Sequence, residues 1–315
     1  MNTDAIEKDD IIEELADDFK RKDRRGNVIP PDKIKRCGRR VRTIPGMSVV
    51  VPYIMRTRQD SSNLVKDTIR VDKIDEYIRE KRAEGLTNFT LMHVLIAAYI
   101  RAVAARPALN RYIQGQRVYT RHNIEICLTI KKDMSLESPD TVVKVFFYPD
   151  ATVYDVYNEL NRVIEEFRAN PGGDFEDTVK VLSYVPGLLF KGLMAFLRFL
   201  DYFGLLPRFL TKLSPFHGSF FITSMGSLGI PPIYHHLYDF GNLPVFMSFG
   251  TKYRKNVILD DGSVEKQSFV DYTVVTDERI CDGYYFASGM KVLRSIIKNP
   301  RQLDNPPEKV VKDIK

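Results

Sequence analysis

Near its C-terminal end the chain reads Tyr272-Thr273-Val274-Val275-Thr276-Asp277-Glu278-Arg279-Ile280-Cys281-Asp282-Gly283, and the reading of this stretch decides the fold. The β-branched run from Phe269 to Thr276 predicts a buried strand. A charged group ends it, and Phe286, Met290, Leu293 and Ile297 then recur at helical spacing from Tyr284 to Lys298, with Pro300 as the stop. Upstream, Val257 to Leu259 and the turn Asp260-Asp261-Gly262-Ser263 make a hairpin with this strand, because Asp-Gly supplies the positive φ of a tight turn. Pro244 to Tyr253 predicts another strand. Ser219 to Thr223 predicts one more, entering the glycine-punctuated turn Ser224-Met225-Gly226-Ser227-Leu228-Gly229. That turn matches neither a Walker loop nor the dinucleotide fingerprint, since the glycine spacing is wrong and no helix pattern follows.

The N-terminal half supplies the remaining elements. Phe89 to Arg106 is a helix capped by Thr87 or Asn88 and stopped by Pro107, with Leu91, Leu95, Ala98, Ala102 and Ala105 on one face. Met47 to Met55 predicts a strand and Thr68 to Val71 a second; Asp72 caps a helix through Lys81, ended by Gly85. Tyr119 to Ile130 and Thr141 to Tyr148 predict strands joined by a polar turn, followed by a helix from Val153 to Arg168 and a loop at Pro171-Gly172-Gly173. Asp9 to Lys22 reads as a polar helix broken by Gly26 to Pro31.

Of the 315 residues, 44% are hydrophobic and 28% charged, which excludes disordered, collagenous and disulfide-stapled classes. Cys37, Cys127 and Cys281 have no metal or redox spacing, so no metal site and a reducing compartment are expected. The acidic N-terminus lacks a secretory pattern, so a cytoplasmic location, peripheral at the membrane as the alternative, is the expectation. The net charge of +6 is uneven: residues 1–19 carry −7, residues 20–42 carry +9, and the other 273 carry +4. No aromatic residue interleaves the bases from Lys20 to Arg42, so a solvated arm is expected there rather than a nucleic-acid site. The expected organisation is an arm at 1–44, one domain at 45–303 and a tail at 304–315.

Residues 186–207 enclose an apolar helix long enough to be weighed as a membrane span. Lys191, Arg198 and Asp201 lie within about 80° of one another on the helical wheel, and three such charges disfavour a lipid-exposed span. A buried or intersubunit helix is expected, with peripheral membrane contact through 187–206 as the alternative.

These residues together resemble the catalytic domain of the dihydrolipoamide acyltransferases of 2-oxoacid dehydrogenase complexes, which has the chloramphenicol acetyltransferase-like fold. That family ends its last core strand with Asp-His-Arg-x-x-Asp-Gly before a helix, as Asp277 to Gly283 do except at one position. Its Thr-Ile-Ser-Asn-Leu-Gly turn is similar to Phe221-Ile222-Thr223-Ser224-Met225-Gly226, its Leu-x-Pro to Leu213-Ser214-Pro215, and its helix ending in Pro-x-x-Asn to the one ending at Arg106-Pro107-Ala108-Leu109-Asn110. The resemblance covers residues 45 to 303 and is weakest across 170 to 212. It implies a two-layer α/β sandwich with a mixed sheet and packed helices, coenzyme A as acyl-carrying substrate, and a homotrimer in which the 278 loop of one subunit faces its neighbour's 223 region.

The family histidine, which takes the thiol proton of coenzyme A or dihydrolipoamide, is replaced by Glu278. Thr223 or Ser224 takes the place of the oxyanion-stabilising hydroxyl, Asp282 and Arg279 match residues that support the loop, and Gly283 completes the motif. Proton transfer from a thiol of pKa ~8.5 costs about 3 kcal/mol more to a glutamate near ~4.3 than to a histidine near ~6.5. Glu278 therefore serves as a base only if burial raises its pKa; alternatively it pairs with Arg279 or an arginine of the arm. His235 and His236 are alternative bases, and Cys281 is expected to be a packed thiol. No lipoyl-type Asp-Lys-Ala hairpin or Ala-Pro linker occurs, so a lipoyl or acyl-carrier partner would be a separate protein. The expected function is acyl transfer between coenzyme A and a thiol or other acceptor, or else a catalytically inactive binding or scaffold trimer.

Overall fold

The computed structural model describes residues 19–23, 25–131, 140–169 and 184–315. The strands are β1 (Gly38–Arg40), β2 (Ser62–Arg70), β3 (Arg111–Gln114), β4 (Arg117–Arg121), β5 (Ile124–Lys131), β6 (Asp140–Phe147), β7 (Phe220–Ser224), β8 (Val245–Ile258) and β9 (Val264–Asp277). The helices are α1 (Gly46–Ile54), α2 (Asp72–Ala83), α3 (Leu91–Ala105), α4 (Val153–Ala169), α5 (Gly187–Tyr202), α6 (Arg208–Leu213) and α7 (Gly283–Lys298). A six-stranded sheet runs β2-β9-β8-β7-β5-β6, and a three-stranded sheet runs β1-β4-β3. β7 lies parallel to β5 and β8, whereas the other pairs of the large sheet are antiparallel. Side-chain alternation sends Phe220, Ile222, Val245, Met247 and Val274 into one core with α2, α3, α4 and α7. Phe221, Phe246 and Val275 point to the opposite face, where Leu237 and Leu243 cover them. This is the expected two-layer α/β architecture with a mixed sheet.

Two expectations change and a third, the buried or intersubunit helix, is narrowed to its intersubunit half. Met47 to Met55 forms the helix α1, not a strand; Pro52 has no N–H to give to a ladder, and packing buries it while Val49 and Val50 stay exposed. Tyr119 to Ile130 is two strands in different sheets, because the chain turns at His122-Asn123, where the arm catches it through His122 N to Cys37 O (3.0 Å) and Asn123 Nδ2 to Pro31 O (2.8 Å). The apolar helix α5 has no fully buried residue. Its half-buried residues Phe190, Leu193, Leu197 and Leu200 form an inward stripe, yet Leu188 (84% exposed), Phe196 (57%) and Phe199 (56%) form a second apolar stripe facing out. Among the described residues no helix is long and apolar enough to cross a membrane. The helix expected at Asp9 to Lys22 falls mostly, and the loop at Pro171-Gly172-Gly173 wholly, outside the described residues.

The described part of the arm lies against the body: β1 pairs with β4, Lys20 meets Asp150 at 2.6 Å and Tyr148 Oη donates to Ile29 O at 2.6 Å. The C-terminal segment does likewise, with Arg111 pairing Asp313 at 2.5 Å.

His93, at the start of α3, accepts from Thr90 N through Nδ1 at 3.1 Å and stacks on Phe89. Burial pushes its pKa from 6.5 to about 4, so the unfolded chain takes up the proton first as the solution is acidified. Stability is therefore expected to be level above about pH 7 and to fall from about pH 6.5 towards 4, where protonation also removes the acceptor at Nδ1. Urea-unfolding midpoints across this range check this; a His93→Gln variant with an unchanged slope would assign the loss elsewhere.

Candidate active site

β9 delivers the motif. Asp277 N bonds Pro244 O at 2.9 Å and Glu278 N bonds Ser61 O at 2.8 Å, so the strand ends clamped on both sides. Asp277 is 1% exposed, and its carboxylate takes Arg279 Nε at 2.8 Å and Nη2 at 2.7 Å, with Ser61 Oγ at 2.9 Å. Arg279 Nη1 reaches on to Met55 O and Arg56 O at 3.0 and 3.2 Å, tying down the end of α1. The expected Glu278–Arg279 pair is thus absent, because Asp277 offers the guanidinium a buried bidentate partner two residues away. The Glu278 side chain is half-buried and makes no hydrogen bond or ion pair among the described residues.

Asp282 caps α7 by accepting from Tyr285 N at 2.7 Å, which fixes the exit of the loop. Gly283 opens the helix, and a Cβ there would meet nothing within 4 Å in the protomer. Burial pushes the Cys281 thiol up to about 12, as expected of a packed cysteine rather than a nucleophile.

The second cluster lies at the end of β7. Thr223 shares the helix-free face with Phe221, whereas Ser224 has the opposite parity; neither hydroxyl makes a hydrogen bond among the described residues. Gly226 permits the following turn to press on β8: a Cβ would stand 2.8 Å from Gly250 O. The entry to β7 is pinned by Lys144, whose Nζ donates to Thr211, Ser214 and His217 carbonyls at 2.7, 2.9 and 2.5 Å. His217 links Ser214 Oγ (2.8 Å) to Asp201 Oδ1 of α5 (3.1 Å), and burial keeps its pKa low.

The two clusters do not meet within one protomer. Thr223 pairs with Ser248, which pairs with Thr273, five residues before Glu278. Two strand spacings and five residues of rise separate them by roughly 19 Å. His235 stacks on Phe246 with ring centroids 4.0 Å apart, and burial lowers its pKa. It occupies the Thr223 face, and its Nε2 is buried without a partner. His236 packs edge-on to Tyr238. No hydrogen bond or ring contact joins either histidine to Glu278 among the described residues. Among the described residues, no group of His, Cys, Asp or Glu could hold a metal ion.

The sequence reading missed Ser61, the Asp277–Arg279 pair and a buried charge cluster behind β5. In that cluster the fully buried Glu125 meets Arg208 at 2.5 Å and Arg121 at 4.0 Å. The signal for the first pair was two opposite charges flanking the motif glutamate at the end of an apolar strand.

No family model matches the chain, and no curated protein matches its sequence. Solved structures match its fold. A probable dihydrolipoamide acetyltransferase from Listeria monocytogenes aligns over 82% of this chain and 93% of its own, with 16% identity and a TM-score of 0.51. A dihydrolipoamide acetyltransferase from Azotobacter vinelandii, solved to investigate the catalytic roles of a serine, a histidine and an asparagine, aligns over 84% and 93%, with 11% identity and a TM-score of 0.55. The cubic core of a pyruvate dehydrogenase multienzyme complex aligns over 84% and 93%, with 12% identity and a TM-score of 0.53. At these identities the likeness establishes an acyltransferase-type fold.

Proposed function

We propose that the chain is one subunit of a homotrimeric acyltransferase that moves an acyl group between coenzyme A and a thiol acceptor. The observation that carries this reading is the pairing of rigid support with unspent groups. The Glu278 turn is clamped by Ser61, the Asp277–Arg279 pair and the Asp282 cap, while the Glu278 carboxylate and the Thr223 hydroxyl are uncommitted. Their separation of roughly 19 Å in one protomer calls for a second copy to complete the site.

In the proposed reaction Glu278 takes the acceptor thiol proton, and the thiolate attacks the thioester carbonyl carbon. Thr223, or Ser224 beside it, donates a hydrogen bond to the oxygen that gains charge. Collapse of the tetrahedral intermediate expels the coenzyme A thiolate, which recovers the proton from Glu278. Single-turnover release of free coenzyme A from an acyl-coenzyme A, separated from the acceptor thiol and its new thioester, with and without an added thiol acceptor, tests this directly. Wild-type release that Glu278→Gln leaves unchanged would remove Glu278 as the base.

One observation favours a second reading, a binding module without turnover: no described residue orients the Glu278 carboxylate. That reading expects saturable coenzyme A binding, no thiol release from the native chain, and a gain of release in Glu278→His.

A further inference from the structure

A cavity of about 970 Å³ opens where the N-terminal arm, β1, the β4–β5 turn and the C-terminal segment meet. Arg21, Lys22, Arg39, Arg40 and Arg42 line it together with Arg121, and Asp313 is the lone side-chain carboxylate in its wall, beside the α-carboxylate of Lys315, which accepts from Arg42 N at 2.9 Å. Asp313 is not available to neutralise them, since Arg111 holds both its oxygens at 2.7 and 2.5 Å. Among the described residues Arg21, Lys22, Arg40 and Arg42 make no ion pair with any carboxylate, so the walls repel one another.

The floor of the cavity is polar and incompletely satisfied. Arg121 is fully buried, with Nη1 4.0 Å from Glu125 and Nη2 on Gly218 O and Asn242 Oδ1 at 2.7 and 2.6 Å, whereas Asn110 Oδ1 and Asn123 Oδ1 lack hydrogen-bond partners; all three residues line the space. His122, in the same wall, registers the field: burial together with Arg21, Arg39 and Arg36 pushes its pKa to about 4. The volume suits a small molecule rather than a duplex. Clustered guanidinium forks match phosphate oxygens in pairs.

We propose that this cavity binds a ligand carrying two or more phosphate groups. The phosphates belong either to the tail of a thioester cofactor or to a free oligophosphate or nucleotide. Arg111 connects the cavity to the motif, since the guanidinium that grips Asp313 also donates to Ile280 O at 3.4 Å, in the Glu278 turn. The site stands on its own residues, so its failure would leave the thiol-release reading intact.

Calorimetric titration of the full chain with inorganic tripolyphosphate tests it. Saturable binding is expected at low salt, strongly weakened at roughly 0.5 M salt, where the screening length is about 4 Å. Arg40→Glu with Arg42→Glu should weaken it at least about tenfold. Arg254→Glu with Lys266→Glu, an equal charge change on the exposed β8–β9 hairpin, should leave it unchanged. Absence of binding to the native chain at low salt, or equal loss in both double variants, overturns the proposal. Competition by coenzyme A but not by pantetheine assigns the cavity to a cofactor tail; no competition by coenzyme A assigns it to a free oligophosphate, and both results support a phosphate site.

Discussion

Arg279→Met should lower the unfolding free energy by about 3–5 kcal/mol, the usual cost of leaving one member of a buried ion pair without its partner. Arg279 is 5% exposed and Asp277 1%, so water cannot replace the lost guanidinium. Only Ser61 Oγ and the amide of residue 279 would remain on the carboxylate. Two further acceptors, Met55 O and Arg56 O, lose their donor at the same time, which frees the end of α1 beside the motif. Adding Asp277→Leu should recover part of the loss by removing the unpaired carboxylate, but only part, because the buried Arg58 also loses a counter-charge. Urea denaturation measures both; a single variant within about 1 kcal/mol of the native chain would show the pair to be hydrated in solution.

Glu278→Gln and Thr223→Val should each reduce thiol release, the first by about 10²–10⁴-fold as loss of a general base and the second by about 10²–10³-fold as loss of an oxyanion donor. The informative experiment combines them. When the two defective chains are unfolded together and refolded in equal amounts, about a quarter of the intersubunit sites should hold an intact Glu278 opposite an intact Thr223. Release should then return to near that fraction of the native rate. A mixture no more active than its parents would place both groups' work inside one subunit and remove the intersubunit site.

Much of the frame was legible in the sequence because local and tertiary preferences agree there. The Asp-Gly hairpin, the β-branched run into Asp277 and the Asp282-capped helix each satisfy turn chemistry, propensity and burial at once. Where these conflict, the reading failed. Val49-Val50-Val51 has strand propensity, but Pro52 cannot join a ladder and the segment packs as a helix. The Asp277–Arg279 pair was hidden by its own neighbour, since adjacent charges invite pairing, whereas Asp277 ends the strand as the N-cap of a short 3-10 turn and its carboxylate faces forward to residue 279. The basic cavity draws on residues near 21, 40, 121 and 313, so its charges were visible but their convergence was a property of the β1–β4 pairing.

The two-faced helix α5 changes what a stability measurement on this protein means. Its outward Leu188, Phe196 and Phe199 would contribute on the order of 5–8 kcal/mol if removed from water. That is comparable with the whole folding free energy of an ordinary domain, about 5–15 kcal/mol. Whatever covers this stripe, be it another copy or a lipid surface, enters the folding equilibrium by mass action. A melting temperature of this chain therefore describes a solution, with its protein concentration and its additives, before it describes a polypeptide.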